Sequence, residues 1–255
     1  MIYAVAVTSA LAWTASTLPM HAAVRTASPT MMADRGFLMA GNWKMNTVLE
    51  EAKSLAADVA KATESAAADV DVAVCVPFPF LAPVSDVLKD SKVGLGAQDC
   101  YYEDSGAFTA AVSTSMLKSV GSEYVLTGHS ERRATFGDSD EDVNKKTLKV
   151  LAEGLKCILC IGELKEERES GETFAVCDTQ LTAGLKGVSA EMMKDIVIAY
   201  EPVWASTCHA RRCHTRRTRS RAAVAAASPP RTHQRPFPAD MCLVRRSALW
   251  QSALA

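Results

Sequence analysis

Between Gly36 and Tyr200 the chain alternates short, nearly continuous apolar runs with longer stretches of helical periodicity. This alternation constrains the fold more than any other feature. The apolar runs are Phe37–Asn42, Val70–Val76, Val93–Ala97, Tyr124–Thr127, Cys157–Ile161 and Ile196–Tyr200. Rich in Val, Ile, Leu and Cys, with no polar alternation, they read as strands covered on both faces. The stretches between them read as helices. Thr47-Val48-Leu49-Glu50 has the form of a capping box, followed at helical spacing by Ala52, Leu55, Val59 and Thr63. Ser139 precedes three acids and an apolar stripe of Val143, Thr147, Val150 and Leu151, with Gly154 placed to end the helix. Phe174, Cys177, Leu181 and Leu185 repeat that pattern up to Gly187. Strands alternating with helices predict βαβ units and a parallel sheet. Six such strands are recognisable, whereas a closed (β/α)8 barrel of about 250 residues needs eight. The fold class expected is therefore α/β, an incomplete barrel with two open sheet edges.

The ends of the chain have a different character. Residues 206–255 hold ten arginines, no lysine and one acid, Asp240, whereas residues 1–205 hold 18 basic residues against 28 acids. Within the tail, Met241–Val244 is the stretch apolar enough for a short strand. The division expected is a leader over 1–35, a barrel domain over 36–205 and an unstructured Arg-rich tail over 206–255, the product of a shifted frame or retained intron. The leader has no acid before Asp34 and is rich in Ser, Thr and Ala, which suggests delivery to a plastid. The alternative is a true start at Met31 or Met32 and a cytoplasmic protein. Its apolar run Ile2–Trp13 is too short to span a membrane.

The cysteines do not form the spacing of a secreted disulfide framework. Cys157 and Cys160 have the spacing of a redox or metal pair, but in a strand residues three apart point to opposite faces. Cys208, His209, Cys213 and His214 fit no common zinc finger. The arginines of the tail lack the aromatic interleaving of a nucleic-acid binding module, so no nucleic acid and no membrane partner is expected.

Three runs carry chemistry. Gly41-Asn42-Trp43-Lys44-Met45-Asn46, Gly128-His129-Ser130-Glu131-Arg132-Arg133 and Ala199-Tyr200-Glu201-Pro202-Val203-Trp204 each close a predicted strand. Parallel α/β folds keep reactive groups at the C-terminal ends of strands. A carboxylate, an imidazole and an ammonium at one mouth suit the movement of a proton beside a carbonyl.

With Gly96-Ala97-Gln98-Asp99, Gly106-Ala107-Phe108-Thr109 and Cys160-Ile161-Gly162-Glu163, these runs resemble triosephosphate isomerase over about residues 36–205. The resemblance implies interconversion of dihydroxyacetone phosphate and glyceraldehyde 3-phosphate through an enediolate, with no cofactor and no metal. It implies Glu201 as the base, His129 as the neutral electrophile, Lys44 and Asn42 as substrate contacts, and Ser130 and Glu131 as supports. Pro202, Val203 and Trp204 would form the hinge of a lid. It also implies a homodimer through the loop around Phe108-Thr109, where Ala110-Ala111 replaces the family's usual Gly-Glu. The family's glycine-containing lid and the two Gly-rich loops that follow strands seven and eight have no counterpart after Trp204. The acid–base half of the site is kept without the half that grips phosphate, and the chain as written is expected to be inactive. The alternative is a non-catalytic barrel remnant with a basic binding tail.

Overall fold

The computed structural model describes residues 37–65 and 70–205, together with the backbone of 241–245. The leader, most of the tail and its Cys/His group lie outside the described residues. The elements run β1 (Phe37–Asn42), α1 (Leu49–Thr63), β2 (Val70–Val76), α2 (Leu81–Leu88), β3 (Val93–Ala97), α3 (Thr114–Ser119) and β4 (Tyr124–Thr127). They continue α4 (Ser130–Phe136), α5 (Asp140–Ala152), β5 (Lys156–Ile161), α6 (Lys165–Glu169), α7 (Thr173–Gly184), β6 (Ile196–Tyr200) and β7 (Met241–Arg245). Strands β1 to β6 pair in sequence order, all parallel. The six strands form a curled half-barrel, an incomplete (β/α)8 barrel, with helices on the outside.

Because the strands are covered on both faces, their side chains divide into two buried layers. Leu38, Ala40, Ala73, Cys75, Tyr124, Leu126, Ile158, Cys160, Val197 and Ala199 fill the inner face. Val72, Val74, Val76, Val125, Cys157, Leu159 and Ile161 pack outward against Ala52, Val84, Val143 and Leu181 of the helices. Cys157 and Cys160 thus sit in different layers, as strand geometry requires. Burial pushes the Cys157 thiol up to about 11, against hydrogen bonds with Thr127 and Thr147 that pull it back. Gly94 on β3 leaves room for the Tyr124 ring, since a Cβ there would come within 2.6 Å of it.

Three expectations are corrected. The β1 edge is paired: β7 lies antiparallel against it, Gly41 opposite Met241 and Phe37 opposite Arg245. The strand falls on the apolar stretch noted at Met241–Val244, and it is not the parallel strand of a βα unit. Helix α1 starts one residue later than its capping pattern suggested, with Val48 at the N-cap and its N–H donated to Glu51 Oε2 at 3.3 Å. Thr47 instead takes a left-handed backbone, φ 72°, where a β-branched residue is sterically disfavoured. Phe174, expected on the apolar stripe of α7, is 83% exposed, while Cys177, Leu181 and Gly184 carry that face. On α5 the buried face includes Lys146 beside Val143, Thr147 and Val150. None of the described helices is long and apolar enough to cross a membrane.

Candidate active site

The three motif-bearing loops meet at one end of the sheet. After β1 the chain turns through Lys44 at φ 53°, a left-handed conformation that costs a non-glycine residue energy. Hydrogen bonds over-determine it. Asn42 Oδ1 accepts the Lys44 N–H at 2.9 Å, and Gln98 Nε2, from the end of β3, donates to the Lys44 carbonyl at 2.9 Å and the Cys75 carbonyl at 3.1 Å. The Lys44 ammonium then reaches Glu131 Oε1 at 3.3 Å.

After β4, Gly128 turns at φ 69° and His129 caps α4. Its Nδ1 accepts the Glu131 backbone N–H at 3.2 Å. An acceptor nitrogen needs its lone pair, so this geometry places the ring proton on Nε2. His129 is 6% exposed, and its Nε2 faces Glu201 Oε2 at 3.7 Å. That separation exceeds a hydrogen bond and sets the two groups side by side at the mouth. Glu131 forks between Lys44 and His129, its Oε2 lying 3.7 Å from His129 Nδ1. Ser130 opens α4 and lines a cleft with Gly128, Arg133, Gly162, Gln180 and Glu201.

After β6, the Glu201 N–H continues the parallel ladder onto the Ile161 carbonyl at 2.9 Å, and the Val203 N–H onto the Glu163 carbonyl at 3.0 Å. Pro202, Val203 and Trp204 follow in a short turn whose indole Nε1 donates to Glu163 Oε1 at 3.0 Å. Glu163 is fully buried and also accepts from the Tyr200 hydroxyl at 3.0 Å. Burial pushes the Glu163 carboxyl up, but the Trp204 and Tyr200 donors and the nearby Arg168 charge outweigh it and hold it below the ordinary value. Burial and the Glu163 acceptor together push the Tyr200 phenol up to about 12.

Asn42, Lys44, His129, Ser130, Glu131 and Glu201, named from sequence, are therefore brought to one end of the sheet. Their buttresses were not named: Gln98, Glu163, Gln180 and the charge cluster around Lys146. Gln98 and Glu163 stood inside motif runs, which was the one available signal.

The family model for triosephosphate isomerase matches residues 37–215, well over half of the chain. The chain belongs to the triosephosphate isomerase family. Its similarity to family members is high where it exists. It is 51% identical over 168 residues to the triosephosphate isomerase of Chlorobium phaeovibrioides, covering 66% of this chain and 66% of that protein. To the triosephosphate isomerase of Alkaliphilus metalliredigens it is 47% identical over 168 residues, covering 66% and 67%. The chain thus spans about two thirds of the length of these relatives. A crystal structure of triosephosphate isomerase from Bartonella henselae superposes with a TM-score of 0.61 at 34% identity, covering 74% of this chain and 77% of that one. The family match runs ten residues beyond Ala205, where the sequence resemblance was expected to stop.

Proposed function

We propose that Glu201, His129 and Lys44 perform the proton transfers of a triose phosphate isomerisation. The observation that carries this reading is the facing pair at the mouth, His129 Nε2 and Glu201 Oε2 at 3.7 Å, with Nδ1 occupied as an acceptor. A carboxylate beside an N–H donor can act on the two ends of one C–H/C=O unit. Glu201 removes the C1 proton of dihydroxyacetone phosphate while the C2 carbonyl oxygen receives a proton from Nε2. The enediolate's electrons then take the proton back at C2, and the O1 hydrogen returns to Nε2, which gives glyceraldehyde 3-phosphate with no net gain or loss. Lys44 supplies positive charge where oxygen becomes anionic, and Asn42 fixes the loop that carries it. No step in this sequence draws on a metal or an organic cofactor.

Three finer readings accompany it. The 255-residue chain alone turns over at background, because the family match ends at residue 215 and the tail holds no Gly-Gly run of the kind the resemblance calls for after strands seven and eight. The dimer contact is the loop at Phe108, whose ring is 41% exposed and packs on Tyr101 at 4.8 Å, itself stacked on Tyr102 at 4.4 Å. The leader, rich in Ser, Thr and Ala with no acid before Asp34, directs the protein to a plastid. The experiment for the function is to join a family C-terminal third after Ala205 and assay isomerisation beside the chain as written. Turnover by the joined chain supports the reading, and none in either sinks it.

A further inference from the structure

We propose that Gln180, on α7, is a positioning residue for Glu201, acting through Gly162. Describing Glu201 as a base rests on the function proposed above, whereas the positional relationship does not.

Three observations converge on Gly162. First, the Glu201 carbonyl oxygen lies flush against it, so close that a Cβ on Gly162 would come within 1.9 Å. Second, the flanking residues of the same strand end hold the Glu201 loop: Ile161 and Glu163 accept the Glu201 and Val203 N–H groups. In a parallel strand alternate residues turn their backbone groups to opposite sides. Ile161 and Glu163 face β6, so the N–H and C=O of Gly162 face the β4 side. Third, the β4–β5 ladder ends at Thr127 opposite Leu159. Among the described residues no strand remains to pair Gly162 there. The Gln180 carboxamide takes that place, its Oε1 accepting the Gly162 N–H at 2.9 Å and its Nε2 donating to the Gly162 carbonyl at 3.2 Å.

One side chain thus imitates a peptide unit and extends the sheet by a residue, at the point where the base-bearing loop rests. The bed under Glu201 would otherwise be a strand end with two unpaired backbone groups. Such an end is free to shift, and small displacements of a base cost rate steeply. Glutamine fits this role because it carries a donor and an acceptor on one planar group.

The test is amide hydrogen exchange on the full 255-residue chain, resolved within residues 199–205. Gln180→Met keeps the shape and removes both hydrogen bonds. Its Glu201 and Val203 amides should exchange about tenfold faster, with the β2–β3 amides unchanged. Gln180→Glu, which keeps the acceptor, should recover part of the protection. A spectroscopic readout accompanies these. The His129 ring-nitrogen signals should step between the parent and Glu201→Gln, since the two side chains face each other at 3.7 Å, and this step should shrink in the Gln180→Met background. The proposal is overturned by unprotected Glu201 and Val203 amides in the parent chain or by unchanged exchange in Gln180→Met. A rise spread equally through β2–β3, no recovery in Gln180→Glu, or an undiminished His129 step would also overturn it. An inert Glu201 substitution in an active joined chain would remove the base assignment and leave the exchange result standing.

Discussion

The indole Nε1 of Trp204 donates to Glu163 Oε1 at 3.0 Å, tying the turn after Glu201 to a carboxylate with no exposed surface. Replacing Trp204 with Phe keeps the ring and removes the donor. A buried charged acceptor losing a partner costs about 1–3 kcal/mol. The denaturant midpoint of Trp204→Phe should fall accordingly. The fall of stability on acidification should also be shallower in Trp204→Phe than in the parent, because the folded and unfolded carboxyl values then lie closer together. Glu163 is held below the ordinary carboxylate value, so its contribution is present above that value and disappears as pH falls through the folded one.

The alkaline limb tests the other donor. The Tyr200 phenol is pushed up to about 12, from an ordinary value of 10.0, by burial and then by the Glu163 acceptor. The unfolded chain ionises this tyrosine first, so the contribution is complete below pH 10 and is lost as pH rises through about 12. Stability measured by urea unfolding between those values should fall less steeply in Tyr200→Phe than in the parent. Parallel slopes would place the shift elsewhere.

Lys146 is 3% exposed and bonds Asp99 at 2.9 Å and Asp138 at 2.6 Å, while Arg132 reaches both acids at 3.2 Å. Burial alone would push the ammonium down; the two carboxylates outweigh it and raise it above the ordinary value. Lys146→Met leaves two largely buried carboxylates sharing Arg132. Breaking such a cluster by removing one partner costs about 3–5 kcal/mol. A Tm shift in Lys146→Met no larger than that of a surface substitution would contradict the account of this cluster.

Ala110 sits at φ 72° in the loop that carries Phe108, a conformation glycine adopts without the clash of a Cβ. Ala110→Gly should stabilise the chain by about 1 kcal/mol, the strain relieved being partly offset by the flexibility glycine gives the unfolded state. Chemical denaturation of the two chains decides this, and a destabilised glycine variant would mean that the loop is not strained.

The six parallel strands were legible because continuous Val, Ile, Leu and Cys runs leave no alternative to double burial, and five of the six match residue for residue. β5 begins at Lys156, one residue early. Helix faces were less legible. Phe174 and Lys146 each contradict their position in a hydrophobic pattern, since Lys146 is buried by partners that periodicity cannot see. The site's principal residues were legible from strand-end motifs. Their buttresses were not, because Gln98 meets Lys44 across 54 residues and Trp204 meets Glu163 across 41. β7 was readable as an apolar run, but four residues do not reveal that it would pair antiparallel with β1.

The central claim is that Glu201 moves the proton. Its most direct test is the kcat of Glu201→Gln in the chain joined after Ala205 to a family C-terminal third, measured with glyceraldehyde 3-phosphate. General acid–base groups contribute about 10²–10⁴-fold. The account predicts a fall in kcat within or beyond that range while the folded structure is retained. A Glu201→Gln enzyme turning over within tenfold of its parent would contradict it.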